Sequence, residues 1–123
     1  MNTCLNLVVL RSPDIDRAVA FYRALGLSLV KHSHGKGPEH YSAESEGGVF
    51  ELYPLSPSQV ATTSVRVGFH VADLDAVFSA VVALGVKVVA PPADSSWGRR
   101  AVVEDLDGHP VELVEVSREP AHE

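Results

Sequence analysis

Cysteine is nearly missing. Cys4 is the only one, which excludes a disulfide framework and any metal cage built of thiolates alone. Tryptophan also occurs once, at Trp97. Positive charge is in short supply: 10 Lys+Arg stand against 16 Asp+Glu, a net charge of −6. A duplex-binding surface needs the opposite balance, so no nucleic-acid partner is expected. No apolar run approaches the ~20 residues that span a bilayer. The opening MNTCLNLVVL has no cationic n-region and runs directly into a strand pattern. No membrane and no signal peptide are expected, and a soluble cytoplasmic protein is the default. What is present is ordinary: 123 residues, 46% hydrophobic and 21% charged. That composition and length predict a single globular domain. A chain of this size hides roughly two thirds of its extended surface, enough for a core without staples.

The chain repeats itself. Asp14-Ile-Asp-Arg-Ala-Val-Ala-Phe-Tyr-Arg-Ala-Leu-Gly-Leu27 aligns without a gap on Asp73-Leu-Asp-Ala-Val-Phe-Ser-Ala-Val-Val-Ala-Leu-Gly-Val86, at an offset of 59. Asp14/Asp73, Asp16/Asp75, Ala24/Ala83, Leu25/Leu84 and Gly26/Gly85 are identical. The offset extends backwards, placing Val8 on Val67 and Leu10 on Phe69. Phe50-Glu-Leu52 resembles Val111-Glu-Leu113 at an offset of 61. Two repeats are predicted, about 5–55 and 65–116, each reading strand, helix, then strands. Ile15, Ala18, Val19, Tyr22 and Leu25 share one helical face, as do Leu74, Val77, Phe78 and Val81. Ser12-Pro13-Asp14 supplies a cap and a proline suited to a first turn. Gly26 and Gly85 suit helix ends.

The strands alternate. In Val65-Arg-Val-Gly-Phe-His-Val71 the odd positions are apolar, and Arg66, Gly68 and His70 take the other face. Phe50 and Leu52 oppose Glu51 and Tyr53, while Val111 and Leu113 oppose Glu112. Such alternation means a sheet with one face on helices and one face open to solvent or ligand. Lys31–Pro38 and Pro91–Gly98 read as loops, and Asp105-Leu-Asp-Gly108 as a tight turn. His109 follows that turn and is expected to be exposed; 117–123 reads as a flexible tail, which includes His122.

These features together resemble the vicinal oxygen chelate superfamily of glyoxalase I, bleomycin resistance proteins and extradiol dioxygenases. The carriers are the paired halves, the helix from Asp14 to Phe21-Tyr22, the Phe-Glu-Leu strand, and the ending Glu-Asp-x-Asp-Gly-x-x-x-Glu-Leu from Glu104 to Leu113. The resemblance covers nearly the whole chain. It implies an α+β fold of two βαβββ modules, with curved, cup-like sheets and helices on the outer face. It also implies a homodimer that completes the cups. The family's metal enzymes take four ligands from the first strand and the Glu strand of each module. Carried over by position, these fall on Leu7, Glu51, Arg66 and Glu112. The two glutamates match the family; the other two do not. Leu7 has no lone pair, and Arg66 stays protonated and has no acceptor. No tightly bound transition metal and no cofactor are expected, although a weak oxygen-ligated divalent cation at Glu51 and Glu112 is conceivable.

Arg66 offers a substitute for the ion. If Glu51 and Glu112 converge as the family's ligands do, two carboxylates near 4 Å repel by ~4 kcal/mol at an effective dielectric of 20. A guanidinium between them keeps both charged; alternatively Arg66 points to solvent. Around this centre the candidate ligand-binding residues are Arg11, His40, Tyr53, Arg66, His70, Trp97 and Arg99. Of His40 and Tyr41, one points into the cup. His70 is either a proton-transfer group or a residue at the rim, and Tyr53 either lines the cup or packs across strands. Trp97 beside Arg99 and Arg100 either stacks on a planar anion or plugs the core edge. His32 and His34 read as a solvated turn, since no third ligand is near in sequence. Two functions compete. One is metal-independent binding of a small molecule, antibiotic-like or a metabolite, for which the acidic balance suits a cationic guest. The other is a lyase or isomerase acting on a small carbonyl compound, with Glu51 or Glu112 as general base. A vestigial interaction module is a third reading.

Overall fold

A computed structural model describes residues 2–116; the expected tail at 117–123, with His122, lies outside the described residues. The order is β1 (Leu7–Ser12), α1 (Ile15–Ala24), β2 (Val30–His32), β3 (His40–Ser45), β4 (Gly48–Pro54), β5 (Val67–Val71), α2 (Leu74–Val82), β6 (Val88–Ser95), β7 (Gly98–Glu104) and β8 (Pro110–Glu115). The chain divides into two compact units, Met1–Thr62 and Thr63–Glu123. Each is a βαβββ module. The first sheet has the order β1-β4-β3-β2 and the second β5-β8-β7-β6. In both, the first and last strands pair in parallel and the rest antiparallel. The predicted α+β modules are therefore present. None of the helices among the described residues is long and apolar enough to cross a membrane.

The helices begin where the repeated aspartates cap them. Asp14 accepts from the Arg17 N–H and Asp73 from the Ala76 N–H, both at 3.1 Å. Such caps satisfy amides that have no partner within the helix. Pro13 stands ahead of the cap, outside α1. In the first unit α1 packs on β1, β3 and β4. Phe21, Tyr22, Leu10 and Leu52 are buried there, and Tyr22 meets Phe21 at 4.8 Å and Phe50 at 4.6 Å between ring centroids. In the second unit Leu74, Val81, Val103, Val111 and Leu113 form the core under α2. Each such side chain contributes roughly 1.5–3 kcal/mol through burial.

Three local expectations are corrected. Pro91–Gly98 is mostly strand, because β6 runs to Ser95 and pairs with β7 through two register shifts. As an edge strand it tolerates its prolines where the register slips. Lys31 and His32 belong to β2, not to a loop. His109 is fully buried, not exposed, because its Nδ1 lies 2.8 Å from Oδ2 of Asp105.

The helix-facing side of the first sheet holds a polar cluster. Asp16 Oδ1 accepts from the Tyr41 hydroxyl at 2.7 Å and from Lys31 Nζ at 3.1 Å. The Tyr41 hydrogen bond, followed by that from Lys31, holds the Asp16 carboxyl below its ordinary range. Asp16 in turn pushes Tyr41 and Lys31 upward. A depressed carboxyl contributes stability above its unfolded pKa and loses it as pH falls through the folded value; raised Tyr and Lys groups contribute below theirs. The cluster therefore stabilises between about pH 4 and pH 10. Asp16→Asn is expected to lower the tyrosinate transition of Tyr41 toward its ordinary value, which absorbance titration against the parent protein reads directly. An unmoved transition contradicts the assignment.

Candidate functional site

Alternation leaves one face of each sheet free of its helix. In the first unit that face carries Glu51, Tyr53 and His40. Glu51 lies opposite Ser42 in β3 and beside Val9 in β1. His40 stacks on Tyr53 at 4.3 Å and 8°, and the Arg11 guanidinium lies 5.2 Å from the Tyr53 centroid. Arg11 also donates to the Pro54 carbonyl at 3.2 Å. Of the two residues that open β3, His40 joins this face, while Tyr41 turns to α1 to reach Asp16. Glu51 has neither a hydrogen bond nor an ion pair among the described residues.

The second unit brings more together. Strand β5 starts at Val67, so Arg66 stands one residue ahead of it. Gly68 pairs with Glu112, and His70 with Val114, across the parallel β5/β8 ladder. His70, Glu112 and Val114 line a hollow of about 290 Å³ together with Trp97, and a smaller one of about 140 Å³ together with Gly68 and Phe69. Glu112 is held from two sides. Arg100 donates to its Oε2 from Nε at 2.7 Å, and its Nη2 lies 2.5 Å from the same oxygen. The Nη2 of Arg66 is 3.4 Å from the same oxygen. Charge-assisted bonds of this kind are about twice as strong as neutral ones. Glu112 Oε1 accepts nothing from the described residues and sits beside Gly68, which has no side chain to cover it.

Among the described residues Arg66 pairs with Glu112, one of the two glutamates it was expected to bridge, and Arg100 makes the shorter contacts. Arg99 was expected at the ligand and belongs elsewhere. Its neighbours on the same strand face, Ala101 and Val103, are buried under α2, so its guanidinium meets Asp75 at 3.0 Å and Asp94 at 3.8 Å. That pairing with Asp75 holds the Arg99 charge more firmly. Arg100, one residue on, points to the opposite face and reaches Glu112. The sequence signal for this was the Glu-strand alternation itself. Trp97 does not plug the core: it is 79% exposed, set in the β6–β7 turn where Ser95 Oγ accepts from its N–H at 3.1 Å.

The residues at the family's ligand positions do not fit a metal ion. Leu7 offers no donor atom, and Arg66 offers only protons. Glu112, which could ligate, is already compensated by two guanidiniums on one oxygen. Bringing a dication there places it against two positive charges.

Comparison with known proteins agrees with the fold. The description "Glyoxalase/Bleomycin resistance protein/Dioxygenase superfamily" matches residues 5–113. An uncharacterized protein of Mycolicibacterium smegmatis is 32% identical over 105 residues, covering 85% of this chain and 87% of its own. Among solved structures, TioX from Micromonospora sp. ML1 superposes with a TM-score of 0.69 at 28% identity, covering 92% of this chain and 96% of its own. TnmS3, an antibiotic binding protein from Streptomyces sp. CB03234, has a TM-score of 0.73 at 23% identity, covering 95% and 98%. With its paired βαβββ modules and a match running from the first strand to the last, this chain belongs to the glyoxalase/bleomycin resistance protein/dioxygenase superfamily.

Proposed function

We propose that the chain binds a small planar molecule carrying an anionic or acceptor group, without a metal and as a homodimer. The observation that carries this reading is Glu112, paired with two guanidiniums and lining a hollow that Trp97 also lines. Two cations against one carboxylate leave a local excess of positive charge. The overall acidity of the chain, which suits a cationic guest, is thus reversed at this spot. Trp97 offers an exposed ring on which a flat guest can stack. Arg66 is 54% exposed and Arg100 28%, so both retain donors that can turn to a ligand. His70 adds a group able to donate or accept. The same fold serves TnmS3, an antibiotic binding protein, which supports guest binding as a use of this scaffold. The dimer rests on the family resemblance, and sedimentation velocity reads it as twice the 13.2 kDa chain mass.

Trp97 is the only tryptophan, so its fluorescence reports the site directly. A planar aromatic carboxylate is expected to quench it saturably. Arg100→Ala is expected to weaken that binding by about 10–100-fold, the worth of a charge-assisted bond. Quenching insensitive to Arg100→Ala contradicts the proposal.

A second reading has one observation in its favour. Glu112 Oε1 is left open while Oε2 takes both guanidiniums, which is a disposition a general base could use. A lyase or isomerase acting on a small carbonyl compound would lose turnover in Glu112→Gln or Glu51→Gln while still binding its substrate.

A further inference from the structure

The β2–β3 hairpin gathers three imidazoles. His32 and His40 are direct partners across the antiparallel pair, an arrangement that sets Cβ atoms about 4.5–5.5 Å apart. His34 follows two residues after His32, and a turn closed by the Gly37 N–H on the His34 carbonyl at 2.9 Å returns the chain to β3. The ring centroids form a nearly equilateral triangle: 5.6 Å for His32–His34, 5.8 Å for His32–His40 and 5.9 Å for His34–His40. In sequence the first two read as a solvated turn for want of a third ligand. The strand register supplies that ligand.

Three imidazoles bound to one tetrahedral ion through bonds of about 2.0–2.1 Å would have ring centroids about 5.2 Å apart. The observed triangle is wider than that by about 0.4–0.7 Å on each side. His40 is the fixed corner. It is 6% exposed, stacked flat on Tyr53, and its Nδ1 is 3.2 Å from the Pro38 carbonyl. Donating there places the proton on Nδ1 and leaves the Nε2 lone pair for an ion, the usual outer-shell arrangement of a metal-bound histidine. His32 and His34 have neither a hydrogen bond nor an ion pair among the described residues. Their rings are nearly parallel at 13° and their nitrogens do not yet converge with that of His40, so both side chains must rotate to share an ion.

We propose that His32, His34 and His40 form a surface site for a borderline divalent transition ion, Zn²⁺, Cu²⁺ or Ni²⁺, with a fourth position open to solvent. The all-nitrogen donor set disfavours Ca²⁺ and Mg²⁺, which take oxygen. The site is separate in sequence and in chemistry from Leu7, Glu51, Arg66 and Glu112, and the guest-binding reading does not depend on it.

The test uses the untagged full-length chain. Calorimetric titration with Zn²⁺ is expected to show one saturable site per chain, and Cu²⁺ at the same site gives an electron paramagnetic resonance signal split by imidazole nitrogens. His34→Gln is expected to weaken Zn²⁺ binding by more than about 100-fold, since loss of mere outer-shell partners already costs 10–100-fold. His34 is exposed, so this variant folds, and unchanged circular dichroism confirms it. Cys4→Ser is expected to leave the affinity unchanged, which excludes the exposed thiol. Zn²⁺ binding that survives His34→Gln, or no saturation up to millimolar Zn²⁺, overturns the proposal.

Discussion

Asp105→Ala is expected to destabilise the protein by about 3–5 kcal/mol, a drop in Tm on the order of 10–20 °C. Asp105 Oδ1 accepts from the N–H groups of Asp107, Gly108 and His109, each at 2.9 Å. Its Oδ2 lies 2.8 Å from His109 Nδ1, and both side chains are 1% exposed. Alanine removes the acceptor for three backbone amides at once and takes the carboxylate from a buried imidazole. Each buried group left without a partner costs about 1–3 kcal/mol. The turn also sets the start of β8, which carries Glu112, so the site is lost with the fold. Asp105→Asn keeps an acceptor oxygen for the amides and is expected to lose about 1–2 kcal/mol. Urea denaturation of the three proteins checks the order. A loss below about 0.5 kcal/mol for Asp105→Ala, the range of neutral surface changes, contradicts the assignment.

Much of the fold was legible because it is written twice. Asp14 and Asp73 cap both helices, and the Glu-Leu strands close both modules. Period-two alternation placed Glu51 and Glu112 on open faces correctly. What stayed hidden depends on register. Pro91 and Pro92 argue locally against a strand, yet an edge strand with slipped pairing accommodates them. In β7, Ala101-Val102-Val103 is apolar at every position, so no alternation marks Arg99 for the helix side and Arg100 for Glu112. His109 follows a polar turn and looks exposed until Asp105 is seen closing over it. His40 sits eight positions from His32 in sequence but opposite it in the sheet. None of these pairings has a local signature; each is fixed by which strand lies beside which.

The largest functional effect expected is an all-or-none one, exclusion of metal from the family's ligand positions. A nickel, zinc or iron site draws three or four donors, often imidazole. Here one position is a hydrocarbon and another a permanent cation. A third is a carboxylate whose Oε2 already accepts from Arg100 and lies 3.4 Å from Arg66. An incoming dication must displace charge-assisted bonds worth about 1.5–3 kcal/mol each and face a guanidinium with no anion left to screen it. Recognition of the guest then falls to the arginines themselves, which is the core of this account. Metal analysis of the His34→Gln variant, loaded with Ni²⁺, Zn²⁺ or Fe²⁺ and desalted, tests it most directly because the hairpin imidazoles are silenced. The account predicts less than about 0.1 equivalent of ion per chain, whereas a true site retains about one. About one equivalent retained, and lost again when Glu112→Gln is added, would contradict it.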